Sequence, residues 1–176
     1  LGDKTGFLDK RYYDYEMWNT NNPDPHVDSF KALYKSIPFF LCLTDVHVYG
    51  IFLDNTFKSY FNMGQESEEY YWFGAEDGAL DYYYIAGNSL AEVLENYTYL
   101  TGRCPLPQRW TLGYHQSRWG YVTQEDVEEV ASGMRDNDIP CDVIHFDIDY
   151  MQDYRVFTWN QERYHNDPEG FLENLA

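Results

Sequence analysis

Three polar side chains stand at alternate positions in the stretch "CDVIHFDIDYM": His145, Asp147 and Asp149. Around them Val143, Ile144, Phe146 and Ile148 make a short apolar run that reads as a buried strand. Side chains two apart on a strand share a face, so the pattern predicts that the three polar groups point the same way. A carboxylate buried without a partner is costly, so two of them at one strand end need a ligand or an ion pair. Carboxylates accept short, strong hydrogen bonds from hydroxyl groups. Aromatic faces pack against the C–H side of a sugar ring, and Trp119 lies on the preceding predicted strand. Asp147 and Trp119 together offer one wall of a sugar pocket. A metal ion is a second use for the same three residues, although three successive positions on one face span too far to converge on an ion unaided. Pure architecture is a third, with Asp149 paired to Arg118 or Arg155; it suits Asp149 and His145 better than Asp147.

These residues need elements to hold them. The segment "RWTLGYHQSRWGY" reads as a strand. Thr123 then caps a helix whose Val127, Val130, Ala131 and Met134 form one apolar stripe and whose acidic first turn suits the positive end of the helix dipole. The Asp147 strand follows, and Asp167-Pro168 opens a helix carrying Phe171, Leu172 and Leu175. Strand, helix, strand, helix is the beginning of a parallel α/β architecture, in which functional groups gather at the carboxyl ends of the strands. Two such repeats cannot close a barrel, so residues 109–176 are expected to be an incomplete domain.

Upstream the style changes. Within residues 36–87, "IPFFLCL", "VHVYGIFLD", "FKSYFNM", "EYYWFGA" and "LDYYYIAG" read as short strands separated by turn signals such as "DNT" and "EDG". They predict a β-meander within a β-sandwich spanning 1–87. Ser89 and Glu92 form a capping box for a helix with Leu90, Val93, Leu94 and Tyr97 on one face. Gly102 closes that helix and "CPLPQ" makes a stiff connection after it, so 88–108 are expected to link the two domains.

Composition bounds the partners. Thirty acidic against twelve basic residues give a formal charge of −18, which disfavours a nucleic-acid partner. No apolar run approaches the ~20 residues of a membrane span. Three cysteines without metal-type spacing favour a reducing compartment, and no secretory signal is visible, so a cytoplasmic location is expected. The chain begins with Leu1, which suggests the interior of a longer polypeptide or a processed end. The 18 Tyr, 11 Phe and 5 Trp suit β-rich packing, and amphipathic rings also suit contact with sugars.

Taken together, "LGYHQSRWGY", "IPCDVIHFDIDYM" and "YRVFTWN", with "MWNTNNP", "SIPFFL", "YGIFLDNT", "DYYYIAG" and "EVLENYTYLTGRCPLP" upstream, resemble glycoside hydrolase family 31, the retaining α-glucosidases and their relatives. The resemblance covers nearly the whole chain. It implies a β-sandwich followed by the first two βα units of a (β/α)8 barrel. It also implies that Asp147 binds hydroxyls of the sugar in the −1 subsite, that Ile148 and Trp119 shape that subsite, and that a sandwich loop carries a further contact. That loop has a "WNTD"-like phrase in the family; here it reads "WNTN", so Asn21 replaces an acid, and an amide loses the charge-assisted bond. In the family both catalytic carboxylates lie on later barrel strands, so the resemblance places no nucleophile or general acid within 1–176. No cofactor and no metal are implied, and the expected partners are an oligosaccharide and the remainder of the barrel, in the same or a second chain. Because Asp147 and Asp149 are kept, the chain resembles the glucoside-cleaving branch rather than the α-xylosidases. A non-catalytic carbohydrate-binding or assembly module, and one half of a split enzyme, are the alternatives.

Overall fold

The structure is a computed structural model that describes residues 1–165 and 167–175. The chain divides into two compact units, Leu1–Cys104 and Pro105–Ala176.

In the first unit, six strands form two antiparallel sheets: β1 (Asp14–Met17), β2 (Phe39–Leu43), β3 (Val48–Leu53), β4 (Ser59–Asn62), β5 (Trp72–Ala75) and β6 (Tyr82–Gly87). One sheet has the order β1-β4-β5 and the other β2-β3-β6. The inner faces follow from period-2 alternation. Tyr15 and Met17 of β1 and Phe61 of β4 meet Phe40 of β2 and Ile51 and Leu53 of β3 in one buried cluster, as two sheets of a sandwich do. The five expected strands are present, but the meander is not. β3 pairs with β6, and the chain changes sheet between β3 and β4 and again between β5 and β6. Asn55 fixes both crossings: its amide donates to the carbonyls of Asp77 and Ala79, and its Oδ1 accepts from Phe57 N. β1 was not among the expected strands. Its Asp14 and Glu16 point outward to Lys31 and Lys58 while Tyr15 and Met17 point in.

Helix α1 (Leu90–Thr101) packs on the other face of β2-β3-β6, burying Val93 and stacking Tyr97 on Phe39 at 3.8 Å between ring centres. Ser89 Oγ accepts from Glu92 N as expected of a cap. The Glu92 carboxylate, however, accepts from Asn88 N rather than closing the box on Ser89. Gly102 ends the helix at φ 107°, where a side chain would be strained.

The second unit begins with a 3-10 turn, Arg109–Leu112, followed by β7 (His115–Gln116), α2 (Gln124–Asp136), β8 (Val143–Ile144), a second 3-10 turn at Gln152–Tyr154 and α3 (Pro168–Leu175). The strand–helix–strand–helix order holds, and β7 and β8 are parallel with His115 opposite Val143. Both strands are far shorter than their sequences suggest. Arg109–Leu112 coils before β7 starts, and β8 ends at Ile144, with His145 and Phe146 between it and the turn at Asp147. Thr123 and Asp126 make a complete capping box on α2. The core is Tyr121, Val127, Tyr164 and Phe171, with Ile144, Phe146, Tyr150 and Trp159 packed against it. Ile144 and Phe146 thus face the helices, leaving Val143 and His145 on the opposite side.

Candidate functional site

Asp147 does not continue the strand. Its φ is 64°, and residues 147–150 form a turn. A left-handed residue costs about 1 kcal/mol, less for Asp than for bulkier side chains. The expected shared face for His145, Asp147 and Asp149 is therefore corrected: alternation lapses once the ladder ends, and each residue finds a different environment.

Asp147 is exposed, and its carboxylate makes no hydrogen bond or ion pair with another described residue. Ile148 beside it is 47% exposed. Asp149 is partly buried and anchored. It lies 3.9 Å from the Arg163 guanidinium, which also donates to the Asp149 carbonyl, and Tyr154 Oη approaches its carboxylate at 3.5 Å. Its carboxylate also rests against Gly120, at φ 78°, where an added Cβ would collide with it. Architecture thus accounts for Asp149, but through Arg163. Arg155 pairs with Asp153 instead, and Arg118 lies over the Tyr121 ring.

His145 stacks on His115 across the parallel pair, with His115 Nδ1 3.0 Å from His145 Nε2. The Thr111 carbonyl, 3.2 Å from His115 Nε2, can only accept, so that nitrogen carries the proton and Nδ1 accepts from His145. Among the described residues no three His, Cys, Asp or Glu side chains gather closely enough to hold a metal ion.

Trp119 sits at the carboxyl end of β7, next to Gly120, and is 94% exposed. Its turn therefore abuts the one carrying Asp147 and Ile148, with Asp149 filling the contact. The structure thus brings three of the four expected residues to neighbouring turns at one end of the parallel pair. Asn21 belongs to the first unit, in the loop after β1, exposed and without a side-chain hydrogen bond to another described residue.

The loop after Asp147 is unusual in its backbone. Asp153, Tyr154 and Phe157 have φ of 52°, 57° and 63°. At aromatic residues the left-handed region carries a penalty of roughly 1–2 kcal/mol each. The Thr158 side chain and one backbone bond hold these conformations: Thr158 Oγ1 accepts from Gln152 N at 3.0 Å and donates to the Arg155 carbonyl at 2.5 Å, while the Asn160 backbone N–H donates to the Tyr150 carbonyl. Beneath the loop Tyr164 is fully buried and donates to the Tyr121 carbonyl at 2.6 Å. Burial, and then the charges of Asp126 and Asp149, push its phenol up to about 12. Sequence reasoning missed Tyr154 and Arg163, which hold Asp149. The signal for Arg163 lay in Asn160, whose Oδ1 caps the turn that delivers it.

Residues 104–176 match the model of the glycosyl hydrolases family 31 TIM-barrel domain. Residues 1–62 match that of the glycosyl hydrolase 31 N-terminal galactose mutarotase-like domain. The chain is 50% identical over 166 residues to alpha-glucosidase 2 of Bacillus thermoamyloliquefaciens, covering 94% of this chain and 21% of that protein. It is 32% identical to neutral alpha-glucosidase AB of Homo sapiens, over 92% of this chain and 19% of that protein. Among solved structures it matches the family 31 dextranase of Flavobacterium johnsoniae complexed with isomaltotriose, at a TM-score of 0.85 and 40% identity, over 99% of this chain and 21% of that one. The chain spans about a fifth of the length of these relatives.

Proposed function

The chain belongs to glycoside hydrolase family 31, and from that premise we propose that the protein carrying it is a retaining, exo-acting α-glucosidase that releases terminal α-linked glucose from oligosaccharides. Residues 1–62 lie in the family's galactose mutarotase-like domain, and residues 104–176 begin its barrel domain.

Asp147 is the residue on which this reading rests. A turn at the carboxyl end of a barrel strand presents its carboxylate to solvent with no partner among the described residues. Such a group meets neutral, hydroxyl-bearing ligands at little desolvation cost and gives them charge-assisted bonds. As positive charge develops on the sugar ring in an oxocarbenium-like transition state, those bonds strengthen, so the contact raises turnover as well as affinity. Trp119 supplies an apolar face for the ring, and Ile148 narrows the space beside Asp147. Asn21 contributes a sugar contact of its own, weaker than the acid found in the family's phrase. Retaining hydrolysis needs two carboxylates roughly 5 Å apart, and none within 1–176 is assigned to that pair. Residues 1–176 alone are accordingly proposed to be inactive. The relatives' names favour glucosides, and maltose and isomaltose are the proposed substrates.

The test is glucose release by the full-length protein from maltose, isomaltose and an α-xyloside. Glucose from either disaccharide, with little or no xylose from the xyloside, is expected. Release of xylose in preference to glucose, or of neither sugar, would contradict the reading.

A further inference from the structure

We propose that Arg163 is a positioning residue for the sugar site: by holding Asp149 it sets the turn that carries Asp147 against the turn that carries Trp119. This assignment rests on the α-glucosidase reading and adds to it the support that the two site residues need. The need is visible in the backbone. The β7–β8 ladder ends with His145 N donating to the Gln116 carbonyl, and among the described residues no backbone hydrogen bond joins the two turns beyond it. One carboxylate joins them instead. Asp149 rests against Gly120, the neighbour of Trp119, where an added Cβ would collide with its Oδ2.

Arg163 reaches Asp149 from farther along the loop. Its Nη1 donates to the Asp149 carbonyl at 3.3 Å and lies 3.9 Å from the carboxylate. The arginine's own backbone is fixed on the side of the other turn. Arg163 N donates to Asn160 Oδ1, and the Arg163 carbonyl accepts from Gln124 N, in the first turn of the helix that follows Trp119. The next residue, Tyr164, donates from its buried hydroxyl to the Tyr121 carbonyl, two residues after Trp119. Residues 163 and 164 thus tie the chain after Trp119 with one set of bonds and the chain after Asp147 with another. Stability does not account for the link to Asp149. An ion pair at 3.9 Å, with its arginine side chain 42% exposed, contributes little to folding. Its distinct effect is to fix where Asp147 and Trp119 stand around one sugar ring, and a displacement of about 1 Å in such a site costs up to about a hundredfold in rate.

The experiment measures kcat and KM of the full-length protein on p-nitrophenyl α-glucoside for Arg163→Met and Arg163→Lys, each alone and beside Asp147→Ala. Methionine keeps much of the packing and removes the charge and the donors. Its kcat/KM is expected to fall at least about tenfold, mainly through kcat, because the Asp147 contact strengthens in the transition state. Both contacts to Asp149 come from one nitrogen, so Arg163→Lys, a single cationic donor, is expected to regain most of that loss. Beside Asp147→Ala the positioned carboxylate is gone, and Arg163→Met is expected to cost less than about threefold further, the share that belongs to Trp119. A folded Arg163→Met protein with unchanged kcat/KM overturns the assignment. A lysine variant as impaired as the methionine one does so as well. A loss that persists undiminished beside Asp147→Ala, or an Arg163→Met protein that does not fold, overturns it too, because the arginine would then serve the fold alone. If the unsubstituted protein releases neither p-nitrophenol nor glucose from maltose, the α-glucosidase reading fails first and takes this assignment with it, a result visible before any variant is made.

Discussion

The two units satisfy their backbones in opposite ways. In the first, six strands pair along most of their length, and side chains are free to alternate between a buried cluster and the surface. In the second, the parallel pair is two residues long on each side, and the chain before and after it is held by side chains bonding to backbone: Asp142 to Tyr114 N, Thr158 to Gln152 N, Asn160 to Arg163 N. Ladders make a unit regular and tolerant, whereas side-chain anchors let a backbone adopt conformations that a ladder forbids. The exposed carboxylate of Asp147 and four of the left-handed residues, Asp147, Asp153, Tyr154 and Phe157, belong to the second kind, although the first unit has one left-handed aromatic of its own, Tyr12.

That contrast is broken or sharpened first at glycines. Gly120→Ala should destabilise the second unit by about 2–3 kcal/mol, combining left-handed strain with displacement of the anchored Asp149 carboxylate. In the first unit Gly50 is just as confined, but by the ends of Phe39 and Val93 side chains, which can shift. Gly50→Ala should therefore cost only about 1–2 kcal/mol. Denaturant midpoints check both, and the reverse order would contradict the comparison.

An effect smaller than that of Gly120→Ala is expected at Tyr164. Removing its hydroxyl in Tyr164→Phe leaves the buried Tyr121 carbonyl without that donor, at about 1–2 kcal/mol. The same residue gives a pH dependence. Its folded phenol is pushed up to about 12, above the value of roughly 10 for a free tyrosine. The folded state therefore holds the proton more tightly. The stabilisation is complete below about pH 10 and is lost as pH rises towards 12. Tyr15 in the first unit, also pushed up to about 12 by burial, follows the same course. Tyr164→Phe should flatten the alkaline loss but not remove it, and urea unfolding between pH 9 and pH 12 (approximate limits set by these two values) measures it.

How much of this was legible in the sequence divides along the same line. The runs from "IPFFLCL" to "LDYYYIAG" announce β2 to β6 because β-branched and aromatic residues with turn signals between them have few other readings. β1 escaped because its Asp14 and Glu16 resemble loop residues until Lys31 and Lys58 are seen to meet them. The exchange of strands between sheets escaped because pairing beyond hairpins depends on contacts such as those of Asn55, which no periodicity records. At the site, the residue types and the strand end were legible. The turn was not, since "HFDID" alternates as well in a turn as in a strand, and only the coordinates show the left-handed φ at Asp147. For the same reason Asp149 was assigned two arginines close in sequence or on the neighbouring strand, while its partner, Arg163, lies fourteen residues along a folded loop.

Asp147 and Asp149 bring the contrast down to two neighbours in one turn, one presented outward and one anchored. The most direct measurement is kcat/KM on maltose and the thermal midpoint for Asp147→Ala in the full-length protein. The account predicts a loss of at least about a hundredfold in kcat/KM with the midpoint lowered only slightly, by the roughly 0.5–1 kcal/mol that alanine adds at a left-handed position, since an exposed carboxylate without a partner supports substrate and not the fold. Full activity with a midpoint lowered by more than that would show that Asp147 serves the structure, and would contradict the account.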